Sequence, residues 1–367
     1  MTTRVLVIGG YGNFGSFISK TLARDIEIKL IIGGRSREKA IALAKTLTSA
    51  NPTESVHLDI NRNIAEQLEE IAPDIAIHTS GPFQSQGYNV AEACISLGCH
   101  YIDLSDGREF VKGITCLDSL AKKNSVIAIS GASSVPCLTA ALIDHYKNQF
   151  HRIESLDYGI TTAQRTARGL ATTAAILGYT GKPFKTLING NFRDIYGWQG
   201  LRRRKYRELG WRLLGNCDVP DLALFPERYP QLKTIRFYAG LEIPIVHLML
   251  WLLSWLVRLK LIRSLKKAAP LLLKTSHLFD WFGSKNSALH FSMTGPDNTG
   301  CKKNITFELV ARSGDGPHIP CVPAILLARK ITRRELVDYG AQACVGLITR
   351  DEYLDALADL DISWTES

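Results

Sequence analysis

The chain has 367 residues, of which 46% are hydrophobic and 22% are charged. This length is more than one typical domain needs, and the composition excludes a largely disordered chain. The net charge is +9, and no recognisable nucleic-acid module accompanies it, so nucleic acid is not an expected partner. The eight cysteines form no Cys-x-x-Cys pair, which argues against a zinc site and a disulfide framework. With no secretory signal at the start, we expect a cytoplasmic location.

A glycine-rich turn follows the first predicted strand, Val5–Ile8. Gly10, Gly12 and Gly15 have the spacing at which a tight turn, an approach to a pyrophosphate and close helix packing each require glycine. The spacing therefore predicts a dinucleotide-binding loop, and the alternative is an ordinary strand-to-helix turn without a ligand. The predicted contacts are Gly10, Tyr11, Gly12, Asn13, Phe14 and Gly15.

The second predicted strand, 28–34, ends at Arg35 and Ser36. Enzymes that use NAD commonly place a carboxylate at this tip, whereas a guanidinium and a hydroxyl suit the 2′-phosphate of NADP. No carboxylate is expected to stand at this tip, so the sequence favours NADP, with Arg37 and Lys39 as further candidates. The alternative is a solvated basic helix start.

Strands and helices continue to alternate up to residue 130. Predicted strands 56–59, 74–80, 101–103 and 125–130 alternate with helices 65–71, 90–97 and 114–123. This order predicts an α/β fold, an N-terminal Rossmann domain with a doubly wound parallel sheet. Ligands bind beyond the carboxyl ends of such strands, although the same residue types also form ordinary turns and helix caps. The candidates at these ends are Asp59, Ser80, Gly81, Pro82, Phe83, Ser105, Asp106 and Gly131.

A second, α+β domain is expected to begin with a helix over 136–148 and a half-buried strand over 153–162. Strands 289–294 and 304–310 are expected to pair with that strand. Arg165 and Arg168 are candidates for an anionic group, with surface arginines beside a packed helix as the alternative.

Residues 243–257 form an uncharged apolar run, and basic residues follow it up to Lys274. A bilayer span needs about 20 apolar residues, so the run is short for one. Trp251 and Trp255 share a helical face, and cationic neighbours attract anionic lipid. We expect a peripheral membrane surface through 243–274, to which the basic cluster 202–212 would add. The alternatives are a core helix, a dimer helix or a true span.

No catalytic residue and no metal site can be assigned from the sequence. His78, Tyr101, Asp103, Ser105 and Asp106 are the polar groups nearest the expected nicotinamide edge. His78 also fits a buried strand histidine, and the aspartates also fit loop-stabilising roles, because an ordinary aspartate is a poor proton donor at pH 7.

Five segments in order resemble the saccharopine dehydrogenase-like family: Gly9–Gly15, Gly33–Ser36, Gly81–Phe83 with Gly87, Cys99–Asp106 and Ser130–Gly131. Gly314–Cys321 is similar to a membrane-associated bacterial branch of that family. The resemblance implies an NADP-binding Rossmann domain over 1–135. It also implies an inserted α+β domain for substrate and dimer contact over 136–320, and C-terminal helices over 321–367 that pack back on the first domain. True saccharopine reductases have an Asp-Pro-Gly turn where this chain has Gly131–Pro136.

These observations give three functional hypotheses. The first is an NADP-dependent oxidoreductase that transfers hydride to a C=C, C=O or C=N bond of a small-molecule or lipid-linked substrate. The second is an amino-acid-type imine reductase that uses Arg165 or Arg168 for a carboxylate. The third is a non-catalytic, NADP-binding scaffold or sensor at the membrane. A homodimer is a further expectation.

Overall fold

A computed structural model describes residues 2–367 and divides the chain into two compact units. The first unit comprises residues 1–141 and 318–353, and the second comprises residues 142–317 and 354–367. The N-terminal part of the first unit alternates strands and helices: β1 (Thr3–Ile8), α1 (Asn13–Leu22), β2 (Ile28–Gly34), α2 (Arg37–Ala44), β3 (Glu54–His57), α3 (Ile64–Ile71), β4 (Ile75–His78), α4 (Asn89–Ser96), β5 (His100–Asp103), α5 (Arg108–Gly113), α6 (Asp118–Lys123) and β6 (Ile127–Ser130).

The second unit begins within the next helix and contains all strands of a second sheet. Its elements in order are α7 (Thr139–Tyr146), β7 (Ser155–Thr162), α8 (Leu170–Tyr179), β8 (Pro183–Ile188), β9 (Asn191–Tyr196), β10 (Arg202–Tyr206), β11 (Gly210–Asn216), α9 (Asp221–Arg228), β12 (Thr234–Leu241), α10 (Pro244–Arg258), α11 (Ala269–Ser276), β13 (Ser287–Pro296) and β14 (Lys302–Ala311). The last elements are α12 (Val322–Thr332), β15 (Gly340–Ala343), α13 (Arg350–Asp355) and β16 (Ile362–Glu366).

The first sheet has seven parallel strands in the order β15-β6-β5-β4-β1-β2-β3. Its central strands are β-branched and leucine-rich, and all four residues of β4 are buried, as expected for strands covered on both faces. The order from β3 through β1 to β6 is that of the Rossmann fold, so the predicted fold class is confirmed. The order reverses between β1 and β4, which places ligand contacts at the carboxyl ends of these strands.

The second sheet has the order β10-β11-β12-β7-β13-β14-β16. Only β7 and β12 pair in parallel, and the other neighbours are antiparallel. The prediction that two late strands join β7 is confirmed for β13, which pairs with it directly, whereas β14 pairs with β13 and β16. Phe237, Tyr158 and Phe291 are buried side by side on one face of three neighbouring strands and form part of this unit's core.

The C-terminal region differs from the expected run of helices over 321–367. Residues 318–353 belong to the first unit and include β15, which pairs with β6. Residues 354–367 belong to the second unit, where β16 pairs with β14. Both strands are short and pair with partners distant in sequence, so local periodicity gave no signal for them.

The apolar run 243–257 forms α10, a helix of 15 residues. Among residues 2–367, no helix combines the length and the apolar character that crossing a bilayer demands.

Candidate functional site

The turn between β1 and α1 accepts side chains at only some of its glycines. A Cβ on Gly10 would lie 2.8 Å from the carbonyl oxygen of Val7, and one on Gly15 would lie 2.2 Å from that of Gly9. Both positions therefore require glycine for the helix to pack on the strand. Gly12 differs, because among the described residues a Cβ there would meet only the Gly9 oxygen, at 3.1 Å, and the residue is exposed. The open side of the turn thus lies at Gly12.

The N-terminus of α1 is suited to an anion. The helix begins at Asn13, directly after the open Gly12, and its first turn contains no acidic residue. Gly12 occupies the N-cap position, and within the described chain no side chain caps the helix there. The first backbone N–H groups and the positive end of the helix dipole therefore face this point. Phe14 is half-buried, and its carbonyl oxygen lies 3.6 Å from Cys321 Sγ. This is the arrangement with which Rossmann domains hold a pyrophosphate.

Tyr11 joins the glycine turn to the tip of β2. Its ring lies against Gly34, where a Cβ would be 2.5 Å from the ring, and its hydroxyl oxygen accepts a hydrogen bond of 2.9 Å from the Ser36 N–H. Ser36 Oγ accepts from the Lys39 N–H at 3.3 Å and thereby caps α2. The same hydroxyl donates to Glu38 Oε2 at 2.8 Å. The expectation that no carboxylate stands at this tip is therefore corrected, because Glu38 reaches back to Ser36.

Arg35 is exposed at this tip, and Asp59 lies near it at the end of β3. The Asn61 backbone N–H and amide, together with the charges of Arg35 and Arg62, hold the pKa of Asp59 below its usual range. In the described structure Arg35 forms no ion pair with a carboxylate, so its guanidinium is available to a phosphate. Asp59, which accepts from Asn61, is placed to orient the loop beside it.

The loop after β4 abuts the glycine turn. A Cβ on Gly9 would lie 2.5 Å from Ser80 Oγ, so the predicted residue Ser80 touches the turn directly. Gln86 Nε2 donates to the carbonyl oxygens of Ser80, at 2.7 Å, and of Pro82, at 3.3 Å. This bonding fixes the Ser80-Gly81-Pro82 segment beside the predicted cofactor loop.

The loops after β4 and β5 are tied to each other. Gln84 Nε2 donates to Asp106 Oδ1 at 2.8 Å, and the Gly107 N–H donates to Ser105 Oγ at 3.1 Å. Ser105 is fully buried, whereas Asp106 is exposed. Both predicted residues are at the carboxyl edge, but only Asp106 presents its side chain to solvent.

Asp103 organises this edge of the sheet. Its Oδ1 accepts hydrogen bonds from the Ser105 N–H at 2.9 Å and from Ser130 Oγ and the Gly131 N–H at 3.0 Å each. Burial, opposed by these hydrogen bonds, raises the pKa of Asp103 to about 6. The side chain thus joins the ends of β5 and β6, which agrees with the loop-stabilising alternative.

His78 and Tyr101 form a buried pair at the ends of β4 and β5. His78 Nδ1 lies 3.2 Å from the Tyr101 hydroxyl, and the imidazole packs edge-on against Phe83 with ring centroids 5.0 Å apart. Burial lowers the pKa of His78 to about 4 and raises that of Tyr101 well above its usual value. Both groups are therefore neutral at pH 7, which fits the strand-histidine alternative for His78.

His318 is not among the residues predicted for the site, although it lies in the segment Gly314–Cys321. The structure stacks the His318 ring on Phe17 of α1, with centroids 4.1 Å apart and planes 11° apart. The next residue, Ile319, accepts a hydrogen bond of 2.7 Å from the Tyr353 hydroxyl. This part of the chain supports the helix that follows the glycine turn, and the prolines at 317 and 320 were its only local signal.

The arginines assigned to an anionic substrate have other surroundings. Arg168 donates to Ser276 Oγ at 3.0 Å and forms an ion pair with Asp280, and Arg165 is exposed. Two arginines of the basic cluster 202–212 also have carboxylate partners. Arg202 pairs with Asp157 at 2.5 Å, and Arg212 lies 3.5 Å from Glu242, so these two charges are neutralised within the second unit.

Comparison with protein families identifies the first unit. Residues 5–133 match the model of the saccharopine dehydrogenase NADP binding domain. This segment is therefore similar to the NADP-binding domains of that family. The match includes the glycine turn, the tip of β2 and the loops after β4, β5 and β6, and it supports NADP as the cofactor. No curated protein matches the chain in sequence.

Solved structures extend the likeness to the whole chain. Saccharopine dehydrogenase (L-Glu forming) from Saccharomyces cerevisiae has a TM-score of 0.70 and 13% identity, with 100% of each chain covered. This similarity establishes the fold. A meso-dapdh mutant from Clostridium tetani has a TM-score of 0.47 and 14% identity over 96% of each chain. An amine dehydrogenase from Mycobacterium smegmatis has a TM-score of 0.47 and 10% identity over 94% of this chain and 95% of its own.

Two glycine substitutions should separate folding from cofactor binding. We expect Gly12→Val to keep the fold and to abolish NADPH binding, because its side chain would enter the open space at the start of α1. Gly15→Val should instead destabilise the first unit, because the backbone of Gly9 leaves no room for a Cβ. Urea unfolding and NADPH fluorescence titration measure the two effects. Loss of stability in both variants to the same extent would contradict this assignment.

Asp103→Ala should lower the free energy of unfolding of the first unit by about 3 kcal/mol, because it leaves buried donors without an acceptor, each costing about 1–3 kcal/mol. Asp103→Asn is the matched control, since it retains Oδ1 as an acceptor. Equal stability of the alanine and asparagine variants in urea unfolding would refute the role given to Oδ1.

The same asparagine variant tests the raised pKa. A folded-state value of about 6, above the usual value near 4, means that wild-type stability falls as pH rises through this window. Asparagine does not titrate, so the stability advantage of wild type over Asp103→Asn should be larger at pH 5 than at pH 7.5. An advantage independent of pH would show that Asp103 is ionised throughout the range.

Proposed function

We propose that this protein is an NADP-dependent oxidoreductase that transfers hydride to a C=C, C=O or C=N bond of a lipid-linked substrate. The observation that carries the proposal is the pairing of an open Gly12 at the start of α1 with an exposed Arg35 at the tip of β2. The first supports a pyrophosphate and the second supports a 2′-phosphate. The family match over 5–133 supports the same cofactor.

The residues present fit a dinucleotide along the carboxyl edge of the first sheet. Gly12 and the first backbone N–H groups of α1 would hold the pyrophosphate, and Arg35 with the Ser36 region would hold the 2′-phosphate. NADPH supplies a hydride when it is bound. Ser80 and Asp106, on the loops after β4 and β5, would position the remaining part of the cofactor. Asp103 keeps these loops in place. His78 and Tyr101, which are neutral at pH 7, add no charge at the ends of β4 and β5.

A lipid-linked substrate is proposed because of the apolar surface around α10. Ile245, Met249 and Leu252 are more than half exposed on this helix. Water-exposed apolar side chains on one helix face are typical of proteins that work at an interface. The amino-acid-type imine reductase has less support, because Arg168 is paired with Asp280 and Arg165 is exposed to solvent.

Arg35→Asp should weaken NADPH binding by about 10- to 100-fold, the loss expected for a charge-assisted hydrogen bond worth about 1.5–3 kcal/mol. NADH lacks the 2′-phosphate, so its affinity should change little. Fluorescence titration of the full chain with each cofactor measures the two dissociation constants. Arg24→Asp is the matched control, because Arg24 is exposed at the end of α1 away from the carboxyl edge.

Equal weakening of NADPH and NADH by Arg35→Asp would show that Arg35 does not read the 2′-phosphate. Oxidation of NADPH in the presence of prenyl, acyl or sterol carbonyl substrates then separates the enzyme from the scaffold hypothesis. Turnover above the rate of the Gly12→Val variant supports the enzyme. NADPH binding without turnover of any substrate class favours the scaffold.

A further inference from the structure

The solvent-facing side of α10 is apolar from residue 244 to residue 256. Ile245, Leu248, Met249, Leu252 and Leu256 recur at helical spacing and are 56%, 37%, 52%, 58% and 37% exposed. They form one stripe along the helix, and no polar side chain interrupts it between residues 244 and 256. Such a stripe in contact with water is unfavourable unless something covers it.

The opposite side of α10 is already packed within the second unit. His247, Ser254 and Val257 are buried, and Val257 belongs to an apolar cluster with Leu177. Gly181 also lies against this side, since a Cβ there would be 2.2 Å from the Ser254 carbonyl oxygen. The inner side of α10 therefore packs within the second unit, and the outer stripe takes no part in that packing.

The exposed apolar character continues beyond the helix. It includes residues after the end of α10, one residue of α11, and a 3-10 turn over His277–Phe282. Trp281 is 90% exposed and Phe282 is 74% exposed. The residues of this apolar surface are Ile245, Leu248, Met249, Leu252, Leu256, Leu259, Leu261, Ile262, Leu271, Leu278, Trp281 and Phe282.

The charged side chains between residues 243 and 274 have one sign, and the next acidic residue, Asp280, is paired with Arg168. Residues 243–274 contain six arginines and lysines and no aspartate or glutamate. All six are exposed and, within residues 2–367, form no ion pair with a carboxylate: Arg258, Lys260, Arg263, Lys266, Lys267 and Lys274. Arg258 donates a hydrogen bond to Gln199 Oε1. Each basic residue near an anionic bilayer contributes about 1 kcal/mol of attraction.

We infer that the apolar surface docks the protein on an anionic lipid bilayer, with α10 lying in the plane of the interface. A 15-residue helix is about 22 Å long, which suits insertion parallel to the membrane and not across it. Trp281 and Phe282 would enter the headgroup region, where aromatic side chains are favoured. This inference deepens the proposed function and rests on it. A membrane-docked protein would take its lipid-linked substrate from the bilayer.

A second copy of the chain is a poorer occupant. A two-fold contact would place the same patch against itself and so bring the basic residues of both copies together. No carboxylate of the 243–274 segment could offset this repulsion. Anionic headgroups complement the charge and the apolar character together.

The test is co-sedimentation of the full chain with vesicles of phosphatidylcholine alone and with 30 mole per cent phosphatidylserine. We expect at least tenfold tighter binding to the anionic vesicles, and a loss of that difference in high salt. Leu252→Asp should weaken binding to the anionic vesicles at least tenfold. Ile26→Asp is the matched control, because Ile26 is 78% exposed in the first unit and lies outside the apolar surface.

Charge reversal tests the basic residues separately. The pair Lys266→Glu and Lys267→Glu should remove most of the preference for anionic vesicles, whereas Lys20→Glu with Lys45→Glu should leave it unchanged. On the unmodified chain, lipids brominated near the headgroup should quench tryptophan fluorescence, and Trp281→Phe should reduce that quenching. This measurement keeps the test decisive if Leu252→Asp does not fold.

Absence of binding to both vesicles would overturn the inference, as would equal losses in Leu252→Asp and Ile26→Asp. A dimer in sedimentation equilibrium that Leu252→Asp dissociates would assign the surface to a second copy instead. NADPH titration of the same preparations separates the two proposals. Retained NADPH affinity without vesicle binding rejects only the membrane inference, and vesicle binding without NADPH affinity rejects only the proposed oxidoreductase.

Discussion

The close packing of α1 on the β1 turn is the constraint on which the cofactor site depends. Gly10 and Gly15 permit that packing because their missing Cβ atoms would collide with backbone atoms. Once the helix is seated, its N-terminus points to the carboxyl edge of the sheet, beside Gly12. The other site loops take their positions from this edge, since Ser80 abuts Gly9 and Tyr11 reaches Ser36. His318 supports the same helix through Phe17, so a residue more than 300 positions away stabilises the first turn of the fold.

The first domain was predictable because each of its elements carries a local signal. Buried parallel strands appear as short apolar runs, and turn residues mark their carboxyl ends. The position of Ser36 was also predictable, but its bond to Glu38 was not, because a side chain that folds back two residues leaves no periodic pattern. The structure also assigns Asp103 a bonding role that the sequence left open. The Ser105 donor is local, but Ser130 Oγ and the Gly131 N–H meet this Oδ1 only after β5 and β6 have paired. Ser130 lies 27 residues after Asp103, so no local sequence pattern indicates this contact.

The second domain was less predictable for a physical reason. Strand β10 carries consecutive basic residues, and four of the six residues of β9 are exposed, so neither shows the alternation of a half-buried strand. They are stabilised by pairing and by partners distant in sequence. Arg202 meets Asp157 of β7, and Arg203 stacks on Trp211 of β11. The same arginines resembled a solvated basic cluster in the sequence, because the carboxylate that neutralises one of them lies 45 residues earlier.

The contrast between two basic clusters strengthens the case for a lipid partner. The charges of Arg202 and Arg212 are offset by carboxylates within the second unit, so they are part of its fold. The exposed lysines and arginines that follow α10 have no such carboxylates, and they lie in the same stretch of chain as the exposed apolar side chains. A fold that needed these charges for its own stability would place acidic residues near them, as it does for Arg168 with Asp280. The anionic bilayer proposed above would offer these basic side chains anionic headgroups and would cover the exposed apolar side chains.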